Sequence, residues 1–295
     1  MRLSLRHAKR FALILTILVA IVGFVTWQNN CIVISKSSLS SEKIPAAFHN
    51  FTIAHLSDLH NKKFGKNQSY LLKKLASASP DIIVVTGDLI DRRKYDPDTA
   101  MELITAALEI APLYFVSGNH EAWSGKYPVI RADLEEAGAY VLDNAQVEIV
   151  REGSTILLSG LSDPDFLTSS YLEGTDTSAM EEQLRQWSGS DDFCILLSHR
   201  PELFELYSEY GLDLIFAGHA HGGQFRIPFI GGFFAPDQGF FPKYTSGSHS
   251  KGGSTMFVSR GLGNSIIPVR ILNRPEIVVV TLKADSDEYS SGSLH

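Results

Sequence analysis

Two histidines separated by one alanine stand in the stretch GHAHGGQ, residues 218–224, directly after the apolar run LDLIF. Side chains on an extended chain alternate with a period of two, so both imidazoles point the same way. The flanking glycines permit close approach of the backbone. A surface strand would turn both rings to solvent, whereas a metal site would use both as ligands. Other polar residues along the chain decide between these interpretations.

Polar side chains also follow the ends of four other apolar runs. They are Asp58 and His60 in SDLH, Asp88 and Asp91 in GDLID, Asn119 and His120 in GNHE, and His199 in SHRP. Taken singly, each has an ordinary explanation as a turn or a helix cap. The carboxyl ends of strands in open α/β sheets gather a functional site. Asp, Asn and His at so many strand ends therefore favour one shared site.

The residue types at these strand ends define the chemistry. Oxygen and imidazole ligands without thiolate suit Mn²⁺, Fe or Zn²⁺ in a hydrolytic centre, and a carboxylate can bridge two ions. Two ions about 3.5–4 Å apart clamp a phosphoryl group and lower the pKa of a bound water. Such a site also needs a proton donor or cationic group that does not bind metal. His120, next to the candidate ligand Asn119, fits that role.

The elements that must position these residues follow from hydrophobic patterns. Apolar, strand-like runs begin at Phe51, Asp81, Leu113, Thr155, Phe193, Leu212, Thr255 and Glu276. Helical patterns between many of them begin at Asn67, Pro97, Pro128, Ser178 and Pro201. This alternation predicts an α/β domain whose sheets are covered by helices. No internal repeat or second domain boundary is evident.

The N-terminal segment has the composition of a membrane anchor. After a basic start comes an uncharged apolar run from Phe11 to Trp27, which spans about 25 Å as a helix. No A-x-A-like site follows, which favours an uncleaved anchor over a removed signal peptide. The positive-inside rule keeps the basic residues cytoplasmic and the rest of the chain outside. These basic residues are Arg2, Arg6, Lys9 and Arg10.

Composition and pattern together predict the domain organisation. With 295 residues and 44% apolar content, the chain can bury a sizeable core. Its net charge of −7 argues against a nucleic-acid backbone as the main partner. The two cysteines, Cys31 and Cys194, take no part in the proposed chemistry. The predicted segments are a cytoplasmic basic segment at 1–10, an anchor at 11–27, a stalk at 28–50, a catalytic domain at 51–283 and a flexible tail at 284–295.

In this order, DxH, GDxxD, GNHE, a single His and GHxH resemble the signature of the calcineurin-like metallophosphoesterases, over roughly residues 51–282. The chain is most similar to the membrane-anchored bacterial branch. GHAHGGQ is followed by FRIPFIGGFFAPDQGFFPKY and then by FVSRGLGNSIIPVRILNRPEIVVVTL, as is usual in that branch. The resemblance implies a four-layer α/β/β/α sandwich with a dinuclear centre at one edge of the sheets, preceded here by one transmembrane helix.

The resemblance also implies a role for each motif residue. Two divalent ions, Mn, Zn or Fe, would be bridged by Asp88. Asp58, His60 and His221 would bind one ion, and Asn119, His199 and His219 the other. His120 would contact the phosphoryl or leaving-group oxygen, with Asp91 orienting it. No ligand is missing, which counts against a catalytically silent relative.

Two features depart from or extend the family pattern. Arg92 after GDLID resembles a phosphate-binding arginine of the protein Ser/Thr phosphatases, although the arginine that those enzymes carry after GNHE is absent here. Arg92 is therefore either a phosphate contact or a solvated loop charge. Six phenylalanines after the last motif are either core residues or an apolar groove for acyl chains. They are Phe225, Phe229, Phe233, Phe234, Phe240 and Phe241.

The leading functional hypothesis is a dinuclear metal-dependent phosphodiesterase at the outer side of the cytoplasmic membrane, acting on an envelope or lipid-linked substrate. One alternative is a pyrophosphatase of a UDP-linked 2,3-diacylglucosamine. That reaction requires a cytosolic nucleotide, so the predicted topology counts against it. A second alternative is a scaffold that kept the fold and lost the chemistry, which predicts eroded ligands.

Overall fold

The computed structural model describes residues 5–168, 175–264 and 268–285. Arg2 and residues 286–295 of the predicted tail lie outside this part of the chain, as does the side chain of Arg6. The helices are α1 (Leu5–Asn30), α2 (Ser69–Ala76), α3 (Pro97–Leu108), α4 (Asn119–Ala122), α5 (Tyr127–Ala137), α6 (Ser178–Trp187) and α7 (Phe204–Tyr207). Short 3₁₀ turns occupy Ala46–Phe48, Lys66–Gln68, Pro164–Phe166, Pro201–Leu203, Ser208–Tyr210 and His221–Gly223.

Most strands belong to one of two large sheets. The first sheet contains β1 (Val33–Ser41), β2 (Thr52–Leu56), β3 (Ile82–Thr86), β4 (Leu113–Val116), β5 (Tyr140–Val141) and β16 (Glu276–Ala284). The second contains β6 (Ala145–Arg151), β7 (Ser154–Gly160), β8 (Cys194–Leu197), β9 (Leu214–Ala217), β14 (Gly247–Lys251) and β15 (Ser254–Val258). Two short hairpins pair β10 (Arg226–Ile227) with β11 (Gly231–Gly232) and β12 (Phe234–Ala235) with β13 (Gly239–Phe240).

Both sheets are mixed, and each contains a run of adjacent parallel strands. The first sheet runs β1-β16-β2-β3-β4-β5, with β2 to β5 parallel and β16 antiparallel to β2. The second runs β14-β15-β9-β8-β7-β6, with antiparallel strands at both edges. Parallel strands covered on both faces read as continuous apolar runs, which is why the sequence located them. Their shared direction brings the polar residues that follow them to one edge.

Alternate residues of the central strands fill different layers of the core. Ile53 and Val84 of the first sheet pack against Leu158 and Ile195 of the second, between the sheets. The strand residues that alternate with them, such as Val85, point to the other face of the first sheet and pack beneath α2, α3 and α5. The outer face of the second sheet packs against α6 and α7. The predicted four-layer α/β/β/α sandwich is therefore confirmed.

The segment predicted to be a stalk is part of the folded domain. Strand β1 pairs in parallel with β16 from Val33 opposite Glu276 to Ser41 opposite Ala284. Phe48 then enters the core between the sheets. The stalk prediction for residues 28–50 is wrong over this range, because an edge strand with one open side tolerates the Ser and Lys residues that are typical of linkers.

Helix α1 extends beyond the predicted span in both directions. From His7 to Asn30 it is long and apolar enough to cross a membrane. Its side chains are exposed over most of this length, but Gln28 and Asn29 in its last turn are buried against the domain. The helix is thus an apolar rod whose last turn is fixed to the folded body.

Candidate dinuclear metal centre

The loops that carry the candidate ligands adopt unusual backbone conformations. Asp58, His60, Asp88, His219 and His221 all have φ between 46° and 62°. Non-glycine residues adopt this left-handed region rarely, at a cost of order 1–3 kcal/mol each, and such strain clusters at functional sites. The loops support one another, because the backbone N–H of Asp58 donates to the Gly87 carbonyl at 3.0 Å and that of His60 donates to the Asp88 carbonyl at 3.0 Å.

Two glycines of the motifs are required by close packing at these loops. A Cβ on Gly118 would lie 2.4 Å from Oδ1 of Asp88, and one on Gly218 would lie 1.9 Å from Oγ of Ser57. Real Cβ contacts are never so short. The GNHE and GHAH motifs therefore begin with glycine because no side chain fits there.

One group of four buried side chains could bind a cation. The donor atoms of Asp58, His60, Asp88 and His221 all lie within 4.8 Å of one another. Nε2 of His60 lies 3.1 Å from Nε2 of His221 and 3.5 Å from Oδ2 of Asp88. Nε2 of His221 lies 3.4 Å from Oδ1 of Asp58. Nitrogen and oxygen donors converging on one point fit a divalent ion.

A second group shares one member with the first. Nε2 of His199 lies 3.1 Å from Nδ1 of His219 and 3.3 Å from Oδ2 of Asp88. Nδ1 of His199 is 2.6 Å from the carbonyl oxygen of Thr86. A proton on Nδ1 donates to that carbonyl, which leaves the Nε2 lone pair for the cluster. Asp88 lies between the two groups, where a bridging carboxylate is expected.

Asn119 lines the same cleft as Asp88 and His219 and carries an orphaned acceptor. Its Oδ1 is buried and has no hydrogen-bond partner among the residues that the structure describes. Its neighbour His120 donates its backbone N–H to Oδ1 of Asp88 at 2.8 Å. A buried acceptor without a partner costs about 1–3 kcal/mol, and an ion at this site would remove that cost. The residues present therefore fit two divalent ions.

The electrostatics of the site also favour cations. Burial opposes ionisation of Asp88, yet His199 and His120 outweigh it and hold the pKa of Asp88 well below its usual range. Burial likewise disfavours charge on His199, but Asp88 raises its pKa to about 10. The carboxylates therefore stay ionised. Metal ions compete with protons for such ligands, so binding releases protons.

Glu121 ties two of the motif loops together. Its buried carboxylate accepts the backbone N–H groups of Asp88 at 2.7 Å, Gly118 at 2.9 Å and Ile90 at 3.2 Å. Burial, reinforced by the Asp88 charge, raises the pKa of Glu121 to about 7. Glu121, the last residue of GNHE, thus links the GDLID loop to the GNHE loop through hydrogen bonds. No role for Glu121 was predicted from the sequence.

A buried arginine and three aspartates support His219 from outside the cluster. Oδ2 of Asp237 lies 2.9 Å from Nε2 of His219, and Nη1 of Arg200 donates to the same oxygen at 2.6 Å. Arg200 is held in turn by Asp163, at 2.7 and 2.9 Å, and by Asp165 at 2.6 Å. Carboxylates that bind the far nitrogen of a ligand histidine fix its orientation. Sequence reasoning missed this network, although Arg200 follows His199 directly.

His120 lies beside the cluster in a different hydrogen-bonding state. Its Nδ1 accepts the backbone N–H of Arg92 at 3.1 Å, which leaves any proton on Nε2. Burial lowers the pKa of His120 to about 4. Oδ1 of Asp91 is 3.6 Å from the same Nδ1, while the Asp91 carboxylate accepts from Nε of Arg93 at 2.9 Å and from Nη2 at 2.7 Å. The main-chain N–H of Arg92, rather than the Asp91 carboxylate, is therefore hydrogen-bonded to Nδ1 of the His120 ring.

The cluster opens into a cleft of about 470 Å³. The guanidinium of Arg92 lies over the Trp123 ring, 4.4 Å from its centroid, on one wall. Phe234 and Pro236 supply apolar surface. The remaining lining residues are Asp88, Arg93, Asn119, His120, Asp165, Arg200, His219, His221 and Asp237. Cationic and apolar walls beside paired cation sites suit a phosphoryl group with an apolar substituent.

Comparison with known proteins agrees with this architecture. The family model of calcineurin-like phosphoesterases matches residues 51–223. The metallophosphoesterase YkuE of Bacillus subtilis is 31% identical over 259 residues, 85% of each chain. The phosphodiesterase YaeI of Escherichia coli is 28% identical over 238 residues, covering 79% of this chain and 82% of that protein. The solved structure of TT1561 of Thermus thermophilus shares the fold, with a TM-score of 0.50, 15% identity, and coverage of 72% of this chain and 89% of that one.

Fold, clustered donors and sequence relationship lead to the same conclusion. The scaffold alternative predicted eroded ligands, whereas every candidate ligand is present and lies buried at the site. The family match covers the segment that carries all of the candidate ligands. The chain belongs to the calcineurin-like phosphoesterase family and is a metallophosphoesterase, a hydrolase that works with two divalent metal ions.

Proposed function

We propose that this protein is a phosphodiesterase that acts at the outer side of the cytoplasmic membrane on an envelope or lipid-linked phosphoester. One observation carries the reaction class: the Asp88 carboxylate belongs to both groups of buried donor atoms. A shared carboxylate is the arrangement that holds two ions close enough to act on one phosphoryl group. The relative in Escherichia coli that is named a phosphodiesterase supports a diester substrate.

The proposed ligand sets follow the two groups. Asp58, His60 and His221 would hold one ion together with Asp88. Asn119, His199 and His219 would hold the other, again with Asp88. When bound, the ions would act as Lewis acids toward phosphoryl oxygens and lower the pKa of a bound water.

The residues around the ions bind the substrate and handle its proton. Arg92, held over Trp123, would pair with a phosphoryl oxygen from the cleft wall. His120 would donate a hydrogen bond from its Nε2–H to the phosphoryl or leaving-group oxygen, because its Nδ1 already accepts from the Arg92 main chain. Asp91 would steady this loop through its pair with Arg93. Phe234 would limit the access of water to the cleft.

Helix α1 supports the proposed location. It is an apolar helix of membrane-crossing length near the N-terminus, and Lys9 and Arg10 precede its uncharged stretch. Because basic flanks stay in the cytoplasm, the catalytic domain would lie outside. The UDP-diacylglucosamine pyrophosphatase remains a second candidate, favoured by the apolar side chains beside the cleft. It requires the opposite orientation of α1.

The reaction is tested on the full-length protein in detergent with a chromogenic phosphodiester, a matching monoester, and added Mn²⁺ or Zn²⁺. Wild type is expected to cleave the diester faster, and a chelator to stop it. Asp88→Asn and His120→Ala should each lose at least about 100-fold in kcat. Glu135→Gln, an exposed change on α5, should retain the wild-type rate. Equal rates for Asp88→Asn, His120→Ala and wild type would refute the proposal.

A further inference from the structure

The segment after the last metal motif exposes large apolar side chains. Six of them form what we call the apolar rim: Phe229, Ile230, Phe240, Phe241, Ile271 and Leu272. Phe229, at the tip of the β10–β11 hairpin, is fully exposed at 109%, and Phe240 and Phe241 are exposed at 67% and 61%. The sequence analysis left open whether these phenylalanines were core residues. An exposed apolar surface of this kind marks an interaction site.

One end of the apolar rim is fixed to the last turn of α1. The backbone N–H of Arg270 donates to Oδ1 of Asn29 at 3.0 Å. The guanidinium of Arg274 lies 4.8 Å from the Trp27 ring centroid. Ile271 and Leu272 stand between these two arginines in the chain. Their position is therefore set by the end of the apolar helix.

The β10–β11 hairpin continues this surface. Leu272 lines the same groove as Phe229 and Ile230. The backbone N–H of Arg226 donates to the Ile271 carbonyl at 3.1 Å, which joins the hairpin to the segment that holds α1. Phe229 and the end of α1 thus belong to one connected part of the molecule.

The other end of the apolar rim reaches the metal cleft. The ring centroid of Phe233 lies 5.3 Å from that of Phe240 and 5.7 Å from that of Phe241. Phe240 also packs on Phe234, at 5.4 Å between ring centroids, and Phe234 is a wall of the cleft. The backbone N–H of Phe233 donates to the Phe225 carbonyl at 2.8 Å, and Phe225 pairs with Ile271, so the part of the apolar rim beside the cleft is joined through the backbone to the part beside α1.

The charges along this path are basic although the chain as a whole is acidic. Residues 225–244 contain one acid, Asp237, whose carboxylate pairs with Arg200 and His219. Residues 268–275 contain no acid and two arginines, of which Arg270 is buried and Arg274 lies half-buried over Trp27. Lys62 donates to the Asn29 carbonyl at the end of α1. An apolar surface with so few acidic residues around it does not repel anionic lipid headgroups.

We propose that the apolar rim lies in the headgroup–acyl boundary of the bilayer beside α1, so that the cleft opens toward the membrane surface and receives a phosphoester carried by a lipid. The occupant of this surface is the bilayer. A second copy of the chain or a soluble protein would not require the apolar rim to be continuous with a helix of membrane-crossing length. The inference rests on the proposed function, in which α1 anchors the enzyme.

Quenching of tryptophan fluorescence by brominated lipids tests this placement without relying on catalysis. Full-length wild type, Phe229→Trp, Phe241→Trp and the control Val150→Trp are reconstituted in vesicles of phosphatidylcholine and phosphatidylglycerol, with or without bromine on the acyl chains. Val150 is exposed on β6, the edge strand at the far side of the second sheet. Aromatic-to-aromatic changes at exposed positions leave the folded state intact.

Wild-type emission comes from Trp27 in α1 and from Trp123 and Trp187 in the domain, and each variant adds one emitter to this background. Brominated lipid should remove more than half of the emission added at positions 229 and 241, and leave that added at 150 unchanged. If brominated lipid quenched the emission of the tryptophan at position 229 but not that at position 241, the placement of the cleft at the membrane would be overturned. If brominated lipid left the emission added at position 229 as strong as that added at position 150, or left the wild-type emission unquenched, the whole inference would be overturned. An inactive enzyme that shows the expected quenching would refute only the phosphodiesterase proposal.

Discussion

Asp88 contributes to both donor groups through a single carboxylate. Its Oδ2 lies 3.5 Å from Nε2 of His60 and 3.3 Å from Nε2 of His199, while Oδ1 accepts the backbone N–H of His120. Each remaining ligand candidate belongs to one group only. His219 and His221, two residues apart in the chain, therefore serve different ions in our account.

This division predicts separable losses of metal. His221→Ala should release mainly the ion shared with Asp58 and His60, and His199→Ala mainly the other, so each variant should retain about one ion per chain. Elemental analysis after dialysis against Mn²⁺-containing buffer measures the stoichiometry. Asp88→Asn should weaken both sites. Loss of both ions in each histidine variant would show that the two ligand sets are not independent.

The carboxylate of Asp237 gives a second prediction for single residues. Asp237→Asn should weaken metal binding about 10–100-fold, because the amide no longer accepts two charge-assisted hydrogen bonds and His219 is less firmly oriented. Titration with Mn²⁺ measures the affinity, with Asp191→Asn on an exposed loop as the control. An affinity equal to that of wild type would exclude the positioning role.

The candidate metal ligands could be predicted from the sequence, but the residues that support them could not. The proposed ligands follow apolar strands within short motifs, so their order along the chain carries the signal. Asp163 and Asp237 reach Arg200 from segments 37 residues away on either side. No local pattern marks a carboxylate whose partner is supplied by tertiary packing. Glu121 was visible in GNHE, but its backbone hydrogen bonds require the folded loops.

Among the secondary-structure elements, buried ones were the easiest to predict. The helical patterns at Pro97 and Ser178 became α3 and α6, which begin at those residues. Asp96 caps α3 by accepting the backbone N–H of Thr99, and Pro97 occupies the first turn. Strand β1 was missed because its edge position allows serines and a lysine where a central strand would carry apolar residues.

Glu276 joins β1 to the rest of the first sheet. Its carboxylate accepts the Ser35 hydroxyl of β1, Nη2 of Arg260 at 2.8 Å and the Arg260 backbone N–H at 3.0 Å. Burial opposes ionisation, but Arg260 outweighs it and lowers the pKa of Glu276 from its usual 4.5. A carboxylate whose folded pKa is depressed contributes stability above its unfolded pKa and loses it as pH falls through the folded value.

Glu276→Gln should therefore destabilise the domain at neutral pH by about 1.5–3 kcal/mol, because charge-assisted hydrogen bonds are lost in a buried place. The difference from wild type should begin to shrink as the pH falls below about 4.5, the ordinary pKa of Glu, and should vanish below the lower folded pKa, where the wild-type carboxylate is also protonated. Urea unfolding in detergent at several pH values measures both effects. Glu148→Gln, exposed on β6, serves as the control. A difference independent of pH would contradict this account.

At the scale of the whole molecule, the sandwich and α1 have complementary roles. The two sheets bring the loops after β2, β3, β4, β8 and β9 to one edge, where the metal site forms. Helix α1 adds an apolar rod whose last turn packs on the domain next to the apolar rim. The family signature predicted the sandwich, and hydropathy predicted α1. The contact between them depends on Asn29 and Arg270, which no motif links.

The orientation of α1 gives a prediction for the intact cell. Fused to the C terminus, a reporter enzyme active only outside the cytoplasm should be active if, as proposed, the basic residues at the start of α1 keep the N terminus in the cytoplasm. Replacing Lys9 and Arg10 with glutamine should lower reporter activity. If the fusion were active only with a reporter that works in the cytoplasm, the proposed topology would be wrong. That result would favour the UDP-diacylglucosamine pyrophosphatase.

The central claim is that two ions share the Asp88 carboxylate, and anomalous X-ray scattering from crystals loaded with Mn²⁺ tests it most directly. The account predicts two anomalous peaks per chain, about 3.5–4 Å apart, on either side of Asp88. One peak should lie beside His60 and His221, and the other beside His199 and His219. A single peak, or two peaks that do not flank Asp88, would contradict it.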